Sequence, residues 1–214
     1  MIFDLSKTNS IANTFLAELR DENIQKDAMR FRKNLARLGA FFAYEISKTL
    51  TYTEVSTPTP LGTAKSQILT EQPVLATILR AGLPMQQGLL SVFDRAECAF
   101  ITAYRKTKKS GDFIIQMEHI SAPNLEGKTV ILADPMLATG LSIVLCAKEL
   151  ISQYQIQKLH IVAAIASAEG VKHVRANLPK ADLWLGAVDE EMTSKSYIVP
   201  GLGDAGDLAY GIKQ

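Results

Sequence analysis

A chain of 214 residues, 47% hydrophobic and 21% charged, can bury a real core as one sizeable α/β domain. Its net charge of +1 makes no general case for nucleic acid or an anionic membrane as partner, and no apolar run approaches the length of a membrane span. Met1 to Lys7 lack the basic-then-apolar order of a secretory leader, and Cys98 and Cys146 sit in apolar segments without partners at metal or redox spacing. These features predict a reduced, cytoplasmic protein. Residues 1–214 are read as a single domain, with N-terminal helices over 11–50 and a C-terminal loop over 190–214 as appendages.

In chain order, residues 11–22 form a short amphipathic helix. Residues 24–50 form a stronger one, because Ile24, Phe31, Leu35, Leu38, Phe42, Ile46 and Leu50 recur at helical spacing. Arg30, Arg32, Lys33 and Arg37 fall on its other sides and are read as a solvated face, with subunit packing the next option. Residues 51–63 turn β-like, with Thr51, Tyr52, Thr53, Val55 and Thr57 before Pro58 and Pro60, and predict a small hairpin outside the main sheet. From 74 onward strands alternate with helices: strand 74–79, helix 83–93, strand 98–103, then an excursion over 105–120 with a basic tip at Arg105 to Gly111. Strand 129–134, helix 142–153, strand 159–165, helix 168–178 and strand 182–188 complete the series. Such alternation predicts a mainly parallel sheet flanked by helices. The tail after 190 is read as irregular and Gly-rich.

Chemistry concentrates at residues 130–145. A buried strand, Val130 to Ala133, runs into Asp134. Small residues follow, Ala138-Thr139-Gly140-Leu141-Ser142, and then helical periodicity begins. The first amides of a helix lack intrahelical acceptors and carry the positive end of the dipole. Small residues let a phosphate approach them, and Thr139 and Ser142 add hydroxyls. Asp134 lies at a carboxyl end of a strand, where open α/β sheets put ligands. A carboxylate repels phosphate but accepts from sugar hydroxyls, so the stretch points to a phosphorylated sugar. The plainer alternative is an ordinary strand–helix turn capped at Thr139 or Ser142.

Two further strands end in cations. Arg80-Ala81-Gly82 closes the strand at 74–79, so Arg80 and Asp134 can point into one crevice. Gly82 there permits unusual backbone angles and close anion approach. Tyr104-Arg105 ends the next strand, in a form suited to a diphosphate leaving group. In the tail, Gly201, Gly203 and Gly206 match a dinucleotide fingerprint, but the few residues after Gly206 leave no room for the helix, strand and acid such a site needs. The better reading is a rigid Gly/Pro loop whose main-chain groups face a ligand. His119, His160 and His173 are scattered and read as structural or exposed.

These pieces resemble the uracil phosphoribosyltransferase family, within the type I phosphoribosyltransferases. Asp134-Pro135-Met136-Leu137-Ala138-Thr139-Gly140 is similar to the family's loop for 5-phosphoribosyl 1-diphosphate (PRPP), with Asp-Pro where many related enzymes carry two acids. Ile78 to Leu83 resemble its diphosphate loop, and Tyr197 to Asp207 its uracil loop. The resemblance implies a type I phosphoribosyltransferase-like fold with a small hood and a β-hairpin excursion. It implies transfer of phosphoribosyl from PRPP to uracil, with Arg105 and Asp204 catalytic. PRPP contacts would come from Arg80, Arg105, Asp134, Pro135, Met136, Leu137, Ala138, Thr139, Gly140, Leu141, Ser142 and Asp204. Uracil contacts would come from Tyr197, Ile198, Gly203, Asp204 and Ala205. Mg2+ bound mainly through PRPP, with no dedicated protein ligands, and a homo-oligomer (dimer or tetramer) are implied as well. Two positions depart from the family: Leu141 stands for a second Gly, and Leu208 for a basic residue. The alternatives are a transferase for another base, an RNA-binding pyrimidine regulator, and a non-catalytic PRPP-binding homologue on the same fold.

Overall fold

The computed structural model describes residues 1–107 and 113–213, with the backbone alone for 104–107 and 113–116. The chain opens with strand β1 (Ile2–Asp4), helices α1 (Ile11–Arg20) and α2 (Ala28–Ser47), and an antiparallel hairpin of β2 (Tyr52–Thr59) and β3 (Gly62–Leu69). The alternating region follows: β4 (Val74–Leu79), α3 (Leu83–Leu90), β5 (Cys98–Thr107), β6 (Phe113–Ser121), β7 (Thr129–Ala133), β8 (Met136–Leu137), α4 (Leu141–Gln153), β9 (Lys158–Ser167), α5 (Ala168–Asn177) and β10 (Asp182–Asp189). The tail adds β11 (Glu191–Met192), β12 (Ile198–Val199) and helix α6 (Ala205–Tyr210).

The main sheet runs β1-β10-β9-β7-β4-β5-β6, with β8 added beside β9. Every pairing is parallel except β5 with β6, which is the expected excursion. Period-two alternation splits the strand side chains between two cores. Leu75, Ile131, Val162 and Trp184 face one side, where α1, α2 and α3 add Leu16, Leu19, Phe31, Leu35, Phe42 and Met85. Ala76, Val130, Leu132, Ile161 and Leu183 face the other, where α4 and α5 add Ile143, Ala147, Leu150 and Val174. Helices on both faces explain why the central strands are apolar throughout. Helices α2 and α3 meet at glycines: a Cβ on Gly88 would lie 1.8 Å from the Ala36 carbonyl oxygen.

Four elements differ from the expectation. The hairpin extends to Leu69, because its second arm, Gly62 to Leu69, is solvated along most of its length and shows no apolar alternation. Strand β1 is too short to signal itself and exists by pairing with β10. Helix α2 starts at Ala28, where the Asp27 carboxylate accepts the Arg30 amide at 3.1 Å. The tail is ordered into a small β-pair and a helix rather than irregular.

The cations of α2 are also more than a solvated face. Arg30 pairs with Glu18 at 2.5 Å, Arg37 stacks on Phe15, and Arg32 donates to the Ala209 carbonyl of α6 at 2.7 Å. The basic tip at 108–111 lies outside the described residues.

Candidate functional site

Strand order reverses between β4 and β7. The chain leaves β4 through α3 on one face of the sheet and leaves β7 through α4 on the other. At such a switch point the two connections part and open a crevice at the carboxyl ends of the strands. A cavity of about 850 Å³ occupies it, within the range of small-molecule sites.

The side expected to hold phosphate is built from β7 onward. The Asp134 carboxylate accepts the Met136 amide at 3.2 Å. The Pro135 carbonyl takes the amides of Ala164 and Ile165, and β8 then pairs with β9. The Ser167 hydroxyl donates to the Ala138 carbonyl at 2.6 Å and accepts the Gly170 amide at 2.8 Å. The chain turns at Gly140, φ 75°, into the first turn of α4. A Cβ there would lie 2.9 Å from Val174 Cγ2, so the left-handed turn and the packing both require glycine. The cap at Gly140 is not made by a side chain; the Thr139 hydroxyl accepts the Leu141 amide at a long 3.4 Å. The remaining first-turn amides are the expected anion donors.

The opposite side is the tail. The pair β11–β12 is closed by a turn in which the Thr193 hydroxyl accepts the Tyr197 amide at 3.1 Å. The chain then passes Gly201 and Gly203, both at positive φ, into α6. The Asp204 carboxylate caps that helix, accepting the amides of Gly206 at 2.9 Å and Asp207 at 3.0 Å. The Leu79–Arg80 and Val199–Pro200 peptide bonds are cis. Arg80 reaches across to the tail, donating to Asp207 at 3.1 Å and to the Gly211 carbonyl at 3.3 Å.

The cavity brings together Arg80, Asp134, Met136, Ala138, Ser142, Tyr197, Ile198, Gly203, Asp204 and Ala205. The other expected positions lie behind or beside it. Leu137 is fully buried in the core under α5, Pro135 and Gly140 are buried, and Leu141 is 40% exposed. Arg105 lies on β5, two residues past Ala103 of the cavity wall, with its side chain outside the described atoms. Leu208 packs on the core behind the loop, its Cδ1 3.9 Å from where a Gly203 Cβ would sit. An apolar residue there supports the loop from beneath. Gly82 has an ordinary φ of −72°. Its missing Cβ makes room for the Ala133 carbonyl and the Thr77 hydroxyl, so it serves strand packing.

Residue-level reading missed several members: Thr102, Ala103, Ser196 and Lys213 in the cavity wall, Asp207 as the partner of Arg80, and Ser167. It also missed an ion pair behind the tail. Arg20, the last residue of α1, grips Asp189 at 2.7 and 2.8 Å. Asp189 ends an apolar strand in an acid, as Asp134 follows one, and that shared signal was available. The Cys146 thiol, on α4, is pushed up to about 12 by burial and then by the nearby Asp134 carboxylate, which leaves it an inert core group.

The fold and the cleft together define an α/β protein whose ligand crevice sits where a parallel sheet reverses its strand order. The chain belongs to the uracil phosphoribosyltransferase family, whose sequence model matches residues 6–212. It is 46% identical to the uracil phosphoribosyltransferase of Porphyromonas gingivalis over 99% of both chains. It is 38% identical to that of Thermococcus gammatolerans, over 92% of this chain and 87% of the relative. A solved structure of a protein from Aquifex aeolicus superposes with a TM-score of 0.88 at 31% identity, covering 99% of each chain.

Proposed function

We propose that this chain transfers the 5-phosphoribosyl group of PRPP to uracil, giving UMP and diphosphate. The observation that carries the reading is that the segment around Asp134 to Ser142 and the segment around Tyr197 to Gly206 line one cavity. Family membership supplies the base and the donor.

The first-turn amides of α4 and the Ser142 hydroxyl anchor the 5′-phosphate. The Asp134 carboxylate accepts from the ribose hydroxyls. Arg80 and Arg105 take the diphosphate, and main-chain groups of Ile198, Gly203 and Ala205 read the edge of uracil, with Tyr197 flanking it. The bond from the anomeric carbon to diphosphate breaks as the ring nitrogen bonds to that carbon and gives up its proton to solvent, so positive character grows on the ribose and negative charge on the leaving group. Catalysis then comes from in-line positioning and from cations held ready for the departing charge. Asp204 stands between the two half-sites and orients the attacking nitrogen. Asp134 and Asp204, both in the cavity wall, would be the hard oxygen donors available to a Mg2+ carried in by PRPP. When bound, that ion supplies charge neutralisation to the diphosphate.

We take residues 1–214 as one domain, since α1 and α2 share a single buried cluster with the sheet. We also propose a cytoplasmic homo-oligomer; exposed Ile11, Met29 and Tyr44 on α1 and α2 are apolar surface suited to subunit packing. The deciding experiment is UMP formation from labelled uracil and PRPP with Mg2+. No UMP, while PRPP still binds, leaves a PRPP-binding homologue without turnover.

A further inference from the structure

Gly201 is held by both of its main-chain groups. Its N–H donates to the Asp189 carboxylate at 3.0 Å, and its C=O accepts from Arg20 Nη1 at 2.9 Å. The same Arg20 guanidinium grips the two oxygens of Asp189 at 2.7 and 2.8 Å. The arrangement is a closed ring of charge-assisted bonds around a single residue, and it holds the two peptide groups on either side of the Gly201 Cα. Asp189 is 8% exposed and anchored at the carboxyl end of β10. Arg20 ends α1, whose Leu16 and Leu19 are buried in the core. Both halves of the grip therefore rest on rigid elements from opposite ends of the chain. Gly201 itself lies at φ 56°, with the Ile198 carbonyl oxygen 2.2 Å from where a Cβ would sit. Two residues further on, Gly203 enters the cavity wall.

We infer that Arg20 and Asp189 are positioning residues for base recognition: they set the backbone orientation with which Gly203 to Ala205 meet the pyrimidine. The inference rests on the base-binding reading of that loop proposed above. If main chain reads the base, no side-chain rotamer can correct a tilted peptide, so orientation must be imposed from outside the loop. A planar guanidinium fork does this, because it fixes direction as well as distance. An ammonium at the same place keeps the charge and loses the fork. The phosphate side is tied separately, to β9 and α5.

The test uses the full chain and steady-state kinetics with each substrate varied in turn. Arg20→Lys and Asp189→Asn are assayed below their own melting temperatures, each beside a thermal melt. The expected result is a rise in KM for uracil of roughly ten- to a hundredfold, the scale of small misplacements of reacting groups, with KM for PRPP unchanged. Equal rises in both constants, or no rise in a folded variant, overturn the inference. Amide hydrogen exchange on the unaltered, ligand-free protein needs no variant: the Gly201 amide should be strongly protected, and fast exchange there also overturns it. Wild-type enzyme that forms no UMP would instead defeat the functional reading, with the exchange measurement still deciding whether the grip holds the loop.

Discussion

The proposed phosphate wall of the cleft, residues 134–142, lies between consecutive elements of the main α/β alternation, β7 and α4, while the proposed base wall, residues 196–210, is a tail whose strand β12 and helix α6 lie outside the main sheet. Their fastenings differ accordingly. The phosphate wall is tied by neutral hydrogen bonds to the adjacent strand β9 and to the cap of α5, through Pro135, Ser167 and Ala138. The base wall is tied by charged side chains from distant parts of the chain: Arg20 and Asp189 at Gly201, Arg32 at Ala209, and Arg80 at Asp207. One wall is tied within the sheet and its neighbouring helix. The other draws on both ends of the chain, and its geometry depends on ionised groups. An anion needs many amides in a fixed cup, which a strand–helix junction supplies locally; a flat base needs an edge held at one tilt, which a tail acquires only from outside.

The largest expected break of this comparison is chemical. Arg105→Ala should lower kcat/KM for PRPP by the equivalent of about 2–4 kcal/mol, as for a lost stabiliser of developing charge. An unchanged efficiency would remove Arg105 from the site.

Gly140→Ala tests the phosphate wall as structure. It places a side chain at φ 75° against Val174 and should cost about 1–3 kcal/mol of stability in denaturant unfolding. KM for PRPP should rise more than KM for uracil.

Acid tests the sheet beneath both walls. His160 on β9 is buried and accepts the Trp184 indole N–H at Nδ1, 3.0 Å. Burial holds its pKa near 4, well below the ordinary 6.5, even though Asp182 lies 3.9 Å away and favours the charged form. The desolvation cost, with the positive charges of Lys158 and the chain's amino terminus, outweighs that carboxylate. The unfolded chain therefore binds the proton first. Stability is fully present above about pH 6.5 and is lost as pH falls toward 4, by about 3 kcal/mol in all. His160→Phe should flatten that part of the profile. A steep profile that survives the substitution would assign it to other groups.

Ser167→Ala removes one hydroxyl that both caps α5 and holds Ala138. About 1–2 kcal/mol of stability should go with it, with PRPP binding weakened and uracil binding spared.

The smallest effect on stability separates two roles of Asp204. Asparagine caps helices as well as aspartate does, whereas alanine costs about 1 kcal/mol. Asp204→Asn should keep the melting temperature and lose turnover; Asp204→Ala should lose both. Full activity in Asp204→Asn would leave the residue as a cap alone.

Much of the architecture was legible because it is local. Continuous apolar strands, helical spacing in α2 and the acid-to-small-residue junction at 134–142 each carry their signal within a dozen residues. The second arm of the hairpin and β1 were not, since a solvated strand and a three-residue edge strand acquire their form only by pairing. Leu137 and Pro135 came with the phosphate loop through the resemblance of the whole segment; what residues alone did not show is that alternation on β8 turns the Leu137 side chain into the core.

By itself the sequence determined the parallel α/β plan and marked the two segments proposed as half-sites, because strand ends, small loops and glycine patterns constrain the backbone where they stand. Only the tertiary structure decided that the half-sites face each other across the break in strand order, and that Arg20 meets Asp189 at Gly201. Those meetings span 169 and 181 residues of chain. No local preference encodes them; they follow from where the packed sheet brings its carboxyl edge and its two termini.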